Sequence, residues 1–167
     1  MKIVVWFAFV FGIYINAAVA FHFTAPKNWL KENTFKGVKE AWSLGDKNAA
    51  TITIQSKTAK NNFNFSNIRP QQLVDFLVKT RKMSHEILGI NNFKVDNFSL
   101  TKEGLIHTLK LKGSYSNIGG DVVKFEEWQF YKKNEYVQFS LSVPTRNKSF
   151  SLEKFKAIIN RFRAFEK

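Results

Sequence analysis

No cysteine occurs anywhere in the 167 residues. Its absence removes thiol nucleophiles, thiolate metal sites and disulfide exchange, and it excludes a lipid-modified cysteine behind an export signal. Proline and glycine are sparse, at 3 and 8 residues, and no Pro-, Gly- or Ser-rich linker divides the chain. No internal repeat is present. Acidic side chains are also few: 13 Asp and Glu stand against 26 Lys and Arg, a formal net charge of +13. Catalytic signatures are missing in the same way. No Gly-x-Ser-x-Gly elbow marks a nucleophile, and Gly119-Gly120 is a turn rather than a phosphate cradle or dinucleotide fingerprint. The three histidines, His22, His85 and His107, share no metal-ligand spacing, and His85-Glu86 is not the two-histidine helical zinc motif. No cofactor and no metal site is therefore expected.

What is present begins with the N-terminus, MKIVVWFAFVFGIYINAAVA. Lys2, an apolar run from Ile3 to Ile15, and Ala18 and Ala20 at the small-residue positions form the three regions of a secretory signal, with cleavage expected after Ala20. The competing reading is an uncleaved anchor, because the apolar stretch through Phe23 approaches membrane-spanning length; Asn16 and the small residues weigh against it. Residues 1–20 are thus read as a signal peptide and 21–167 as one domain, long enough to bury a core. Of the 18 Phe, 15 lie beyond the signal, so packing of aromatics replaces cross-links. Losing Lys2 leaves a mature charge of 25 minus 13, or +12. That excess favours phospholipid headgroups, lipopolysaccharide, acidic polysaccharide or an acidic protein, and export argues against nucleic acid. The bland counterpart is a Lys- and Asn-rich proteome whose exported proteins are all basic.

Local patterns place the elements. Phe21 to Pro26 reads as a short strand stopped by Pro26, followed by a turn with Trp29 as a core plug. Val38 to Leu44 and Thr51 to Gln55 read as strands. Pro70 suits a first helical turn. Leu73, Phe76, Leu77, Thr80, Ser84, Ile87 and Leu88 then recur at helical spacing, up to Gly89 at the position of a left-handed cap. Phe93–Leu100, Leu105–Tyr115, Val122–Tyr131 and Tyr136–Val143, joined by short connections, read as an antiparallel meander. A second helix is expected from Ser151, with Leu152, Phe155, Ile158, Ile159, Phe162 and Phe165 as its apolar stripe. The order predicts an α+β domain: an antiparallel sheet of about six to seven strands covered by two main helices.

The opening strand with Pro26-x-x-Trp29, the strand pair, one long helix, the meander and the final helix Phe155-Lys-Ala-Ile-Ile-Asn-Arg-Phe162 together resemble the PsbP-like α/β/α sandwich family. That fold is shared by the extrinsic PsbP subunit of photosystem II, a Ran-binding nuclear import factor and bacterial envelope proteins. The resemblance implies a non-enzymatic module that docks on proteins or assists an assembly. It carries over no functional residue. The export signal argues against the nuclear role, and nothing in the sequence supports photosynthesis.

Three constellations remain as candidates. Glu126-Glu127-Trp128 offers adjacent carboxylates beside an aromatic ring, a weak candidate ligand site. Alternation places Glu126 with Lys124, Trp128, Phe130 and Lys132, and Glu127 on the other face with Val123, Phe125, Gln129 and Tyr131. A glycosidase needs carboxylates converging at roughly 5 to 9 Å, so a strand with cross-strand ion pairs is favoured over an acid pair. His107 lies on an apolar strand face and reads as a hydrogen-bonded core residue. The third constellation is the basic side of the final helix. There Lys154, Lys156, Arg161, Arg163 and Lys167 are candidates for binding an anionic surface, against a helix packed on the sheet with solvated charges. Asn64, Asn97 and Asn147 begin N-glycosylation sequons, relevant only where exported chains are glycosylated.

Three functions follow, in descending order. The first is an exported, periplasmic or secreted, non-enzymatic module docking on a protein partner in the envelope. The second is a binder of acidic lipid or lipopolysaccharide, and the third a hydrolase of envelope polymers using Glu126 or Glu127. No integral membrane segment is expected after signal cleavage.

Overall fold

Along Val122–Lys132 every second residue from Val123 to Tyr131 is buried, and from Glu126 onward the residues between them are half-buried, as in a sheet with packing on both faces. A computed structural model describes residues 19–34, 37–44, 50–65, 68–87, 89–147 and 152–166. In chain order its elements are β1 (Phe21–Phe23), β2 (Leu30–Lys31), β3 (Glu40–Leu44), β4 (Ala50–Thr58), α1 (Pro70–Ile87), β5 (Asn91–Glu103), β6 (Ile106–Ser116), β7 (Val122–Lys132), β8 (Glu135–Pro144), α2 (Leu152–Ile159) and β9 (Phe162–Ala164). Seven strands form one antiparallel sheet in the order β2-β3-β4-β8-β7-β6-β5, and β1 pairs with β9 in a separate ribbon. The expected α+β fold with two helices on an antiparallel sheet is the one observed.

The two faces of the sheet are built differently. On one, Ile52 and Ile54 of β4 and Val137, Phe139 and Leu141 of β8 pack with Phe155, Ile158 and Ile159 of α2 and with Phe162 of β9. On the other, Leu109, Leu111, Phe125 and Tyr131 meet Val74 of α1 and Phe93 of β5. The helices therefore cover opposite faces. Gly113 is fixed by contact: a Cβ there would lie 2.1 Å from the Lys94 carbonyl oxygen and 2.8 Å from the Phe125 ring. No side chain fits where bulged β5 crosses β6 so closely.

Several boundaries differ from the sequence pattern. Leu105 belongs to the β5–β6 turn and is 66% exposed, rather than lying on the apolar face of β6. The final helix is shorter than expected. It ends at Ile159, the next bonds tighten to Arg161 N–H donating to the Ile158 carbonyl, and Phe162–Ala164 runs extended beside Phe21–Phe23. One more helical turn would have satisfied the periodicity. The extended register instead drives Phe162 against Phe139 at 5.1 Å and Phe130 at 5.4 Å between ring centroids. Burial of that ring outweighs local helical preference.

The ribbon reaches back to the expected processing site. Val19 is buried in the α2-side core, and the Ala20 carbonyl accepts a 2.9 Å bond from Phe165 N–H. A chain begun at Phe21 is therefore expected to be less stable than one begun at Val19 by about 2 kcal/mol, from one buried valine and one backbone bond. Thermal melts of the two chains check this; equal midpoints would show that Val19 contributes nothing.

Candidate functional site

Period-two geometry separates the adjacent carboxylates, and the structure shows what each one meets. Glu126 faces the α2 side of the sheet. It accepts 3.2 Å contacts from Lys112 Nζ and from the Trp128 indole N–H. Lys110 Nζ sits 3.8 Å from the centroid of the Trp128 ring, so a cation already covers the surface on which a sugar would stack. Glu127 points the other way, beneath α1, and only 4% of it is exposed. The two acids cannot converge on one substrate.

Glu127 is the centre of a buried polar network. Arg81, on the inner side of α1, forms an ion pair with Oε1, and Gln129 Nε2 donates to the same oxygen. Gln138 Nε2 and the Ser140 hydroxyl donate to Oε2 at 2.8 and 3.0 Å. Outer members complete it: the Tyr131 hydroxyl donates to Gln129 and the Tyr136 hydroxyl to Gln138. Register explains the assembly. Glu127 stands opposite Ser140, Gln129 opposite Gln138 and Tyr131 opposite Tyr136 on β7 and β8, so the polar side chains form one cross-strand ladder. Burial acts to lower the Arg81 pKa, and the charge and hydrogen bond of Glu127 more than reverse this and raise it. The carboxyl group thereby has partners on both oxygens and a fixed place in the packing.

The tyrosines of this face record its dryness. Burial raises the Tyr131 pKa, the Glu127 carboxylate raises it further, and Arg81 partly opposes both. Burial likewise raises Tyr115, against a hydrogen bond with Ser142. In the unfolded chain both phenols ionise near pH 10, whereas the folded chain keeps them protonated. Their contribution to stability is therefore complete below about pH 10 and is lost as pH rises above that value toward the folded pKa. Ultraviolet titration is expected to show the phenolate signal of these two appearing together with unfolding, not before it.

His107 corrects the expectation of a hydrogen-bonded core residue. Its ring is only half-buried and stacks on Phe65, with centroids 4.6 Å apart, at the rim where β6 meets the segment before α1. Burial and then nearby Lys102 lower its pKa. Aromatic stacking replaces a hydrogen bond because Phe65, rather than a polar group, covers this edge.

The basic candidates do not share one helical face. Lys154 and Lys156 are exposed on α2, Arg161 is exposed in the turn after it, and Arg163 is exposed on β9; Lys167 lies outside the described residues. Arg163 donates to the Asn160 and Phe162 carbonyls at 2.6 and 2.9 Å, bracing the chain where the helix gives way to the strand. The apolar side of α2 is occupied by the core, so its charges project from a packed element. The side chain of His85 is also outside the described residues. Among the described residues, no group of three His, Asp or Glu is arranged to hold a metal ion, and no helix is long and apolar enough to cross a membrane.

In the sequence Arg81 groups with Lys79 and Lys82 as a small basic cluster on the first helix, whereas the structure turns it inward onto Glu127; sequence reasoning does not single out Gln129, Gln138 or Ser140 as site residues. A usable signal existed for Arg81: it follows Val74 by seven and Leu77 by four residues, placing a cation in line with the helix's apolar stripe.

The layout of two helices on opposite faces of a seven-stranded sheet recurs in solved structures. The cyanobacterial PsbP protein CyanoP from Synechocystis superposes with a TM-score of 0.68 at 12% identity, over 87% of this chain and 86% of that one. This is the PsbP-like fold. Two further proteins share it. LpqN of Mycobacterium tuberculosis, involved in cell envelope biogenesis, matches at TM-score 0.57 and 12% identity, over 91% of this chain and 87% of its own. The Ran-binding protein Mog1p of Saccharomyces cerevisiae matches at 0.52 and 9%, over 88% and 91%. No protein-family model matches the chain, and no curated protein matches it in sequence. At these identities the PsbP-like likeness is one of architecture.

Proposed function

We propose that the chain is an exported, non-catalytic module that docks on a protein partner in the cell envelope. The observation that carries this reading is the fate of the candidate acids. Glu127 is held by Arg81 and three further donors beneath α1, and Glu126 by Lys112 and Trp128 on the opposite face. What the described residues offer instead is a rigid basic sheet and its loops. A partner-docking role fits the uses of the fold in Mog1p, which binds Ran, and in LpqN, which is involved in envelope biogenesis. The signal-like N-terminus supports placement outside the cytoplasm.

The test is photo-crosslinking in exporting cells, with the reactive side chain placed in turn at Ser99, Lys124 and Lys156, three exposed positions on different elements. At least one position is expected to give a discrete adduct, and the protein it contains should bind the purified chain. No adduct at any position would remove the reading.

A second reading, binding to acidic lipid or lipopolysaccharide, is favoured by the exposure of Lys154, Lys156, Arg161 and Arg163. It requires binding to acidic vesicles that weakens as salt is added and disappears when these four charges are reversed; salt-independent binding would defeat it. The hydrolase reading has least support, and full activity on an envelope polymer after Glu126→Gln with Glu127→Gln would eliminate it.

A further inference from the structure

The sheet has two edges of very different character. One is β2, only two residues long; the other is β5, of thirteen. An edge strand presents a row of unpaired N–H and C=O groups, and proteins commonly blunt long ones with bulges, charges or a covering element. The first half of β5 is blunted. Its register with β6 shifts between Asn91 and Lys94 and again between Val95 and Asn97, and such bulges bend the strand and break its template. The second half is regular: Phe98 to Glu103 pairs residue for residue with Leu111 to Ile106.

The turn shows which backbone groups point outward. Glu103 and Ile106 flank the two-residue turn Gly104-Leu105, where Gly104 has φ 57°. A turn of this kind is closed by the bond from the fourth residue's N–H to the first residue's C=O, so Glu103 and Ile106 bond to each other. Bonding alternates along an antiparallel strand. Thr101 and Ser99 therefore also bond to β6, whereas Lys102, Leu100 and Phe98 direct their N–H and C=O groups away from the sheet. Together they form a regular template three residues long, with a two-residue repeat.

Charge indicates which strand fits it. Lys102 on β5 and Lys110 on β6 flank this half of the edge, against Glu103, whereas Lys94 is paired with Asp96 at 3.0 Å and Lys112 with Glu126 at 3.2 Å. The chain as a whole carries +13, which repels a second copy and attracts an acidic segment. We propose that the Phe98–Glu103 edge accepts an extended acidic segment of the partner protein as an added strand. Main-chain bonds would supply affinity and the neighbouring lysines the preference for acidic side chains. This inference rests on the reading of the chain as a protein-docking module and specifies where and how docking occurs.

The test uses an acetylated eight-residue peptide alternating glutamate with valine, titrated into the isotope-labelled chain. The amides of Phe98, Leu100 and Lys102 are expected to shift and to slow in hydrogen exchange by about tenfold or more. The corresponding lysine peptide is expected to bind at least about tenfold more weakly. Lys102→Pro deletes one outward N–H without touching a bond to β6 and is expected to abolish binding, whereas Lys102→Gln weakens it only severalfold. The mapping with the parent chain stands even where the proline variant folds poorly. The proposal is overturned by no perturbation at these amides, by shifts confined to the Lys124 or Lys156 regions, by equal binding of the lysine peptide, or by full binding of a folded Lys102→Pro chain. A crosslinked envelope partner that persists with Lys102→Pro would also overturn this edge while leaving the docking function intact. Absence of any crosslinked partner in the parent chain would remove the function itself.

Discussion

Replacing Arg81 with alanine is expected to destabilise the fold by about 3–5 kcal/mol, the cost of leaving a buried carboxylate without its counter-charge. Gln129, Gln138 and Ser140 would still donate to Glu127, but neutral donors do not replace a guanidinium in a site where the carboxylate is 4% exposed. At about 2–4 °C per kcal/mol for a domain of this size, the melting midpoint should fall by roughly 10 °C. Removing both charges, with Arg81→Met and Glu127→Gln, is expected to restore much of the loss, because a buried ion pair contributes less than its breakage costs. The cycle formed by the two single variants and the double variant should therefore give a coupling of about 2 kcal/mol. Hydrogen exchange adds a local readout. The pair fastens α1 to β7, so α1 amides should lose protection in Arg81→Ala before those of β8. A loss below about 1 kcal/mol would mean that the network is not what holds the helix.

The sequence-level reading and the structure agree where one element's own pattern decides the outcome. The meander was legible because β6 and β8 carry alternating stretches, Thr108–Lys112 and Val137–Val143, and the connections between the strands are short. Alternation alone also placed Glu126 and Glu127 on opposite faces. The partner of Glu127 was not legible in the same way. Arg81 lies 46 residues earlier on another element, and only tertiary packing brings a helix cation over a strand acid. The inward polar residues Gln129, Gln138 and Ser140 disguised that face as solvated, although each is buried. β9 had no local signature: three residues continuing a helical period became a strand because β1 lay beside them. β2, at two residues, is too short to carry any pattern. The candidate site was therefore legible in its residues but not in its partners, since ion pairs and stacks such as Phe65 on His107 join segments distant in sequence.

Phe162→Ala is expected to cost about 3–5 kcal/mol, the range for truncating a buried aromatic side chain. Phe162 is 5% exposed and its ring meets Phe21, Phe130 and Phe139, so truncation opens a cavity where the β1–β9 ribbon, β7 and β8 converge. The neighbouring positions make the measurement specific to the extended register. Arg163 is exposed and stands opposite His22 across the ribbon, but its guanidinium donates to the Asn160 and Phe162 carbonyls, so Arg163→Ala should cost about 1 kcal/mol, well below Phe162→Ala. Phe165 is only half-buried, with φ at 62° and Lys132 Nζ 5.6 Å from its ring, so Phe165→Ala should cost far less than Phe162→Ala. A helix continuing through this segment would project Phe162 and Phe165 from one stripe and give the two truncations comparable costs. Denaturant unfolding of the three variants separates these cases. Equal losses at Phe162 and Phe165 would restore the helix, whereas a large loss confined to Phe162 means that the chain ends are held in the core by a strand pair. In that case the exposed charges of Arg161 and Arg163 lie on the outside of a ribbon anchored in the sheet, and any anionic surface they meet is met by a rigid edge rather than by an inserting helix.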